Sequence, residues 1–172
     1  EITKTGKRDD SVENYRIHRQ KQEGLYYVEY HPAGGDANVE HLLAALDYAV
    51  TLDQVEARIA PDQALFFINL TADEARKIAE ITDDSAENDF RRSVSCVGST
   101  ICQIGMQDSN GLLKDIFAHL EKKGVDTRKL PRLHISGCPH SCGTHQIGEI
   151  GFHGAVKLVD KKPMVAFILV EI

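Results

Sequence analysis

Four cysteines, Cys96, Cys102, Cys138 and Cys142, have the residue type and the spacing to do chemistry together. They fall as Cys-x5-Cys, a gap of 35 residues, and Cys-x3-Cys. A cubane iron–sulfur cluster needs four thiolates converging on one point of the protein, usually delivered by loops. Cys138 and Cys142 are spaced i, i+4, so one helical turn would put both sulfurs on the same side. Pro139 suits the first position of such a turn. Gly137 and Gly143 bracket it, and the backbone N–H groups of so tight a loop can point at sulfur and stabilise its negative charge. Cys96 and Cys102 are spaced i, i+6, about 240° apart on a helix, and converge only if a loop joins them. Val97-Gly98-Ser99-Thr100 allows one, because Gly98 is free to take a positive φ. The spacing alone leaves rivals open. A structural zinc site could recruit His134, His140 or His145, although the Cys-x2-Cys spacing that zinc favours is absent. Two disulfides, or four unrelated core cysteines, also fit the count.

The elements that must carry these thiols define an α+β chain. Residues 1–23 are charged and aperiodic and read as an N-terminal arm. Residues 25–30 are β-rich and follow Gly24, so a strand is expected there. Val39, Leu42, Leu43, Leu46 and Val50 recur with helical period. Two further strands, 54–59 and 64–69, flank Pro61-Asp62. Thr71-Ala-Asp-Glu74 is a capping box opening a helix that turns Ala75, Ile78 and Ala79 inward. The order β-α-β-β-α over 24–84 predicts a ferredoxin-like half-domain. Residues 82–88, polar and acidic, read as a linker. An α/β domain over 91–172 follows and holds all four cysteines. It begins with a short strand entering Cys96. A helix with Leu112, Leu113, Ile116, Phe117 and Leu120 inward stops at Gly124. A strand over 132–135 runs into Gly137, and strands over 147–159 and 163–170 form a hairpin turned at Asp160-Lys161-Lys162.

The residues around the cysteines add a resemblance. Ser95-Cys-Val-Gly-Ser-Thr-Ile-Cys-Gln-Ile-Gly105 and Ile135-Ser-Gly-Cys-Pro-His-Ser-Cys-Gly143 resemble the paired signature of the sirohaem and [4Fe–4S] nitrite and sulfite reductases. Ile147-Gly-Glu-Ile-Gly-Phe-His-Gly154 continues the likeness. Arg58-Ile-Ala-Pro-Asp-Gln63 is similar to a segment of that family's ferredoxin-like half-domain, and Arg19-Gln-Lys-Gln-Glu-Gly-Leu25 to the run that enters it. The likeness covers about residues 16 to 172. Family members carry two such halves in tandem, and this chain resembles the second. The resemblance implies that 91–172 is a sirohaem and [4Fe–4S]-binding domain. Cys96, Cys102, Cys138 and Cys142 become cluster ligands, with Cys142 also bridging to the sirohaem iron. It implies an oxidoreductase that takes nitrite to ammonia or sulfite to sulfide, with electrons from ferredoxin or an NAD(P)H-linked flavoprotein. Three positions depart from the family pattern: His140 stands where Asn is usual, Ala60 where Thr is, and Ala64 where Asn is. The family draws most of its anion-holding cations from the first half, so Arg58 reads equally as a pseudosymmetric relic or a surface charge. No residue of this chain stands out as catalytic.

Composition narrows the partners. The 172 residues carry 20 basic and 26 acidic side chains, a net charge of −6. A mildly acidic, mixed surface gives no nucleic-acid partner. The longest apolar run, 164–170, falls far short of the ~20 residues of a membrane helix. The polar first ten residues lack a signal-peptide core. Four cysteines without a secretory signal fit a reducing, cytoplasmic setting. The first residue is Glu1 and the last, Ile172, follows an apolar run, from which we expect an excised piece that needs its missing N-terminal half. No Lys or Arg lies between positions 93 and 113. The isolated piece is therefore expected to be inactive alone and to lack the cations that hold sirohaem.

Overall fold

A computed structural model describes residues 2–171. The chain forms two compact units, one of residues 1–32 with 36–87, the other of 33–35 with 88–172. Each has its own four-stranded sheet, and the fold is mixed α and β as expected.

The first unit contains β1 (Ile17–Arg19), β2 (Tyr26–Tyr30), α1 (Val39–Ala49), β3 (Glu56–Ile59), β4 (Leu65–Leu70) and α2 (Ala72–Ile81). Its sheet runs β1-β2-β4-β3 with every neighbouring pair antiparallel. Placing β4 between β2 and β3 is the split β-α-β arrangement of ferredoxin-like layers. The fourth place belongs to β1, so part of the stretch read as an arm is instead a sheet edge. Its apolar residues are sparse, but Val12 and Ile17 are buried in the core. Arg16 is buried beside them and donates to the Ala79 carbonyl at 3.1 Å and the Thr82 hydroxyl at 2.5 Å. A run of charged residues thus conceals a strand, and the buried Arg16 just before it is satisfied at the last turn and C-cap of α2.

Helix α1 lies where its period predicts, but it is rotated about its axis. Ala45 and Ala49 are buried, with Leu42 and Leu46 packed against the core, while Val39, Leu43 and Val50 are exposed. The small alanines let the helix approach its neighbours closely, so the larger apolar side chains do not all define the inner face. Helix α2 starts at the expected capping box, where the Thr71 N–H donates to Glu74 Oε2 at 2.7 Å. The segment read as a linker is packed rather than loose. Thr82, Ser85 and Ala86 are buried, and the Ala86 N–H donates to the His31 carbonyl at 2.9 Å.

The second unit contains β5 (Val94–Ser95), α3 (Ser109–Lys122), β6 (Leu133–Ser136), β7 (Ile150–Val159) and β8 (Lys162–Glu171). The sheet order is β5-β6-β7-β8, with β5, β6 and β7 parallel and β8 antiparallel to β7. Helix α3 makes the crossover that parallel β5 and β6 require. The Asp108 carboxylate caps it by accepting the Gly111 N–H at 2.8 Å, and Gly124 ends it at φ +64°. Leu113 and Phe117 seat the helix on Leu133 and Ile135, and the Phe117 ring meets Phe90 at 5.4 Å. The β7–β8 hairpin turns at Asp160 and Lys161, both at positive φ, the conformation of a two-residue type I′ turn.

Candidate metal centre

Both cysteine pairs follow the C-terminal ends of adjacent parallel strands. Ser95 ends β5 and Ser136 ends β6, and the chain passes from them into Cys96 and into Gly137-Cys138. In open α/β sheets this end of the strands is where ligands bind, because the loops there converge. Pairing continues past the strands, the Cys96 N–H donating to the Ile135 carbonyl at 3.0 Å.

The loops are then joined to one another. The Gly137 N–H donates to Cys96 Sγ at 3.1 Å. The Gly137 carbonyl accepts from the Met106 and Gln107 N–H groups at 2.9 and 3.0 Å. Within the first loop Cys102 N–H reaches the Gly98 carbonyl at 2.9 Å, and Ser99 N–H the Gln107 carbonyl at 2.9 Å. Gly98 takes φ +65°, the freedom expected of it, and a Cβ there would meet Ser109 N at 2.6 Å. At Gly137 a Cβ would lie 2.6 Å from the Gln107 carbonyl oxygen. Glycine is thus required where the two loops touch.

Residues 138–142 depart from the expected helical turn. Ser141 sits at φ +60°, in the left-handed region, which breaks the helical path between the two cysteines. Successive turns take its place. Cys138 is buried, with Sγ 3.4 Å from His140 Nδ1. Cys142 is exposed, while Cys96 and Cys102 are half-buried, and all four are free thiols, without a disulfide. Ser136 fastens the end of this loop, accepting the Gly143 N–H at 3.0 Å and sharing a hydrogen bond of 2.9 Å with His145 Nδ1. The buried His145 ring stacks on His153 at 4.8 Å. Burial, with the nearby His153, pushes the His145 pKa below the usual histidine value. Burial, with Arg132, does the same to His134, whose Nδ1 pairs with the Thr144 hydroxyl at 2.8 Å.

Four free thiols match the ligand count of a [4Fe–4S] cluster. Tetrahedral zinc thiolates stand ~3.8 Å apart at ordinary Zn–S lengths. Among the described residues, the one group of three or more His, Cys, Asp or Glu with ligand atoms within 4.8 Å of one another is His41, Asp83 and Asp84 in the first unit. No three of the cysteines are gathered that closely among the described residues. A second observation concerns Ser141, whose Oγ is buried without a hydrogen-bond partner between two of the cysteines. A buried polar atom left without a partner is commonly the mark of a missing ligand or water. Around the loops Val97, Ile101, Ile104, Met106 and Ile147 are exposed.

The arginine singled out in the sequence is engaged elsewhere, as is Arg91, which precedes the first cysteine loop. Arg58 lies on β3, exposed, and pairs with Glu56 at 2.8 Å. The Arg91 guanidinium stacks over Phe117 at 4.7 Å and faces Glu121 at 3.6 Å. Sequence reasoning missed two polar side chains that touch the cysteine loops, Ser109 and Ser136. Serine at a helix start or a strand end is too common to flag them.

The chain is thus a mixed α/β protein that presents four free thiols from two interlocked loops at the ends of parallel strands. No family model matches the chain. Its sequence is 32% identical over 144 residues to a ferredoxin–nitrite reductase of Synechococcus elongatus, covering 81% of this chain and 28% of that protein. It is 26% identical over 149 residues to the chloroplastic ferredoxin–nitrite reductase of Betula pendula, covering 81% of this chain and 25% of the other. With the sulfite reductase [NADPH] haemoprotein β-component of Bacillus licheniformis it shares 28% identity over 110 residues, 58% of this chain and 19% of the other. The fold matches that of the NirA protein of Mycobacterium tuberculosis with TM-score 0.76 at 22% identity, over 91% of this chain and 30% of that one. Over most of its length the chain is thus similar to nitrite and sulfite reductases, and it spans about a quarter of the length of the curated relatives it matches.

Proposed function

We propose that this chain is the cluster-bearing part of a sirohaem-dependent nitrite or sulfite reductase, with Cys96, Cys102, Cys138 and Cys142 as the ligands of a [4Fe–4S] cluster. The observation that carries the reading is the hydrogen bond from the Gly137 N–H to Cys96 Sγ, which ties the first cysteine pair to the second. When bound, the cluster would supply one-electron transfer toward the anion, with Cys142 as the thiolate that would be shared with sirohaem. Cys142 suits the shared role because it is the exposed thiol of the four. Val97, Ile101, Ile104, Met106 and Ile147 offer an exposed apolar surface around the ligands for the rest of the assembly to cover. No cation lies between positions 93 and 113 to hold the sirohaem carboxylates or the anion. Burying those charges without partners costs several kcal/mol, so the cations belong to the remainder of the longer protein, and the chain alone is inactive. Ferredoxin is the electron donor in this reading, as the names of several relatives state of those proteins. A cytoplasmic, reducing setting keeps the four thiols free.

Anaerobic reconstitution with iron and sulfide tests the assignment. About four irons per chain are expected, the cubane count, and Cys138→Ser should lose most of the resulting absorbance. Equal iron in the Ser variant refutes it. A cluster spectrum without turnover of nitrite or sulfite, with reduced methyl viologen and added sirohaem, is expected of the isolated chain. Turnover near the ordinary enzyme range of about 1–10³ per second would show that this part suffices.

A further inference from the structure

We propose that Ser109 sets the reduction potential of the cluster by donating a hydrogen bond to the thiolate of Cys96, an inference that rests on the cluster reading above. Ser109 is the first residue of α3 and is fully buried. Its Oγ lies 3.1 Å from Cys96 Sγ and 2.8 Å from the Cys96 carbonyl oxygen. In the thiol form the hydroxyl proton goes to that carbonyl, and the S–H faces Ser109 Oγ. A ligand thiolate has no proton and only accepts. The hydroxyl at 3.1 Å then becomes a donor to sulfur, the second beside the Gly137 N–H at 3.1 Å.

Full burial shields the Ser109 hydroxyl from water, and Gly98 keeps it close to the half-buried Cys96, since a Cβ at Gly98 would stand 2.8 Å from Ser109 Oγ. Among the described residues Cys96 Sγ has two such contacts, Cys138 Sγ has the one to His140 at 3.4 Å, and no hydrogen bond to the sulfur of Cys102 or Cys142 is seen. An electron added to the cluster raises the negative charge on its sulfurs. Donors aimed at a ligand sulfur therefore stabilise the reduced form more than the oxidised one and raise the potential. Ser109 acts through Cys96 and touches no substrate, so it is a positioning residue.

The test is a reductive titration of the reconstituted full chain as wild type, Ser109→Ala and Ser109→Thr, followed by the spectrum of the reduced cluster. Ser109→Ala should shift the one-electron equilibrium toward the oxidised form by about tenfold, about 59 mV more negative. Ser109→Thr, which keeps the hydroxyl, should stay near wild type. A Ser109→Ala cluster titrating at the wild-type potential overturns the inference while leaving the ligand assignment intact. Should Ser109→Ala hold no cluster, the wild-type chain still decides. Its reduced cluster should show two strongly coupled exchangeable protons, from Ser109 and Gly137, in electron–nuclear double resonance, and fewer than two overturns the proposal. A wild-type chain that takes up no iron defeats the cluster reading itself, and this inference with it.

Discussion

Ser136 and His145 show how little separates a structural side chain from one that governs a site. The Ser136 hydroxyl holds the N–H of Gly143, the residue after Cys142, and His145 holds Ser136. A buried N–H left without its acceptor costs about 1–3 kcal/mol, so this small network fixes the loop that ends at the exposed thiol. Its charge state follows from burial, which with His153 keeps the His145 pKa below 6.5. The unfolded chain then binds a proton that the folded chain refuses, and stability falls as pH drops below the unfolded value of about 6.5. His41 has the opposite sign. Its hydrogen bond to Asp84, 3.0 Å from Nδ1, raises its pKa above 6.5. Its contribution is complete below about 6.5 and is lost as pH rises through the folded value. A histidine titration by NMR should place His145 below and His41 above 6.5 in the same sample. The reverse order contradicts both arguments.

At the scale of elements, β1 makes the sharpest prediction. Ile17 is 3% exposed and sits in the first unit's core, so Ile17→Ala should cost about 2–5 kcal/mol in urea unfolding. An arm on the surface would lose within about 0.5 kcal/mol. The strand was illegible because only Ile17 among its three residues is apolar, and because the neighbouring Arg16 reads as solvent-facing until its acceptors are seen. Helices α2 and α3 were legible because capping residues and a 3.6-residue apolar period coincide there. In α1 the same period gave the right span and placed Leu42 and Leu46 correctly, but it misassigned Val39, Leu43 and Val50, since alanine carries too little hydrophobic signal to mark Ala45 and Ala49 as the centre of the face. The cysteine loops were legible in part. Gly98 takes the conformation its position demanded, while the turn at Ser141 depends on a left-handed serine that no local rule anticipates. Hydrogen bonds between residues as distant as Cys96 and Gly137 are a property of the sheet that aligns them, and spacing along the chain does not contain them.

The whole molecule presents unusual apolar surface for a net charge of −6. Leu158, Val159, Met164, Val165 and Leu169 are exposed along the β7–β8 hairpin, and β8 is the last strand of its sheet. Ten residues of backbone edge with apolar flanks form a ready template for pairing. The isolated chain should associate with rising concentration in sedimentation velocity, and Val165→Lys, which puts a charge on that edge, should reduce the effect. A monomer at every concentration would remove the argument. The contact between the cysteine loops carries a different consequence, one for inheritance. Every single-base change that alters a glycine codon installs a larger residue or a stop. At Gly98, Gly137 and Gly154 even the smallest of these, alanine, would strike a neighbouring backbone. Drift is therefore barred at positions that bind nothing themselves. In a map of tolerated substitutions these three glycines should appear as deep a set of exclusions as the cysteines, outlining the site by the places where nothing can be added.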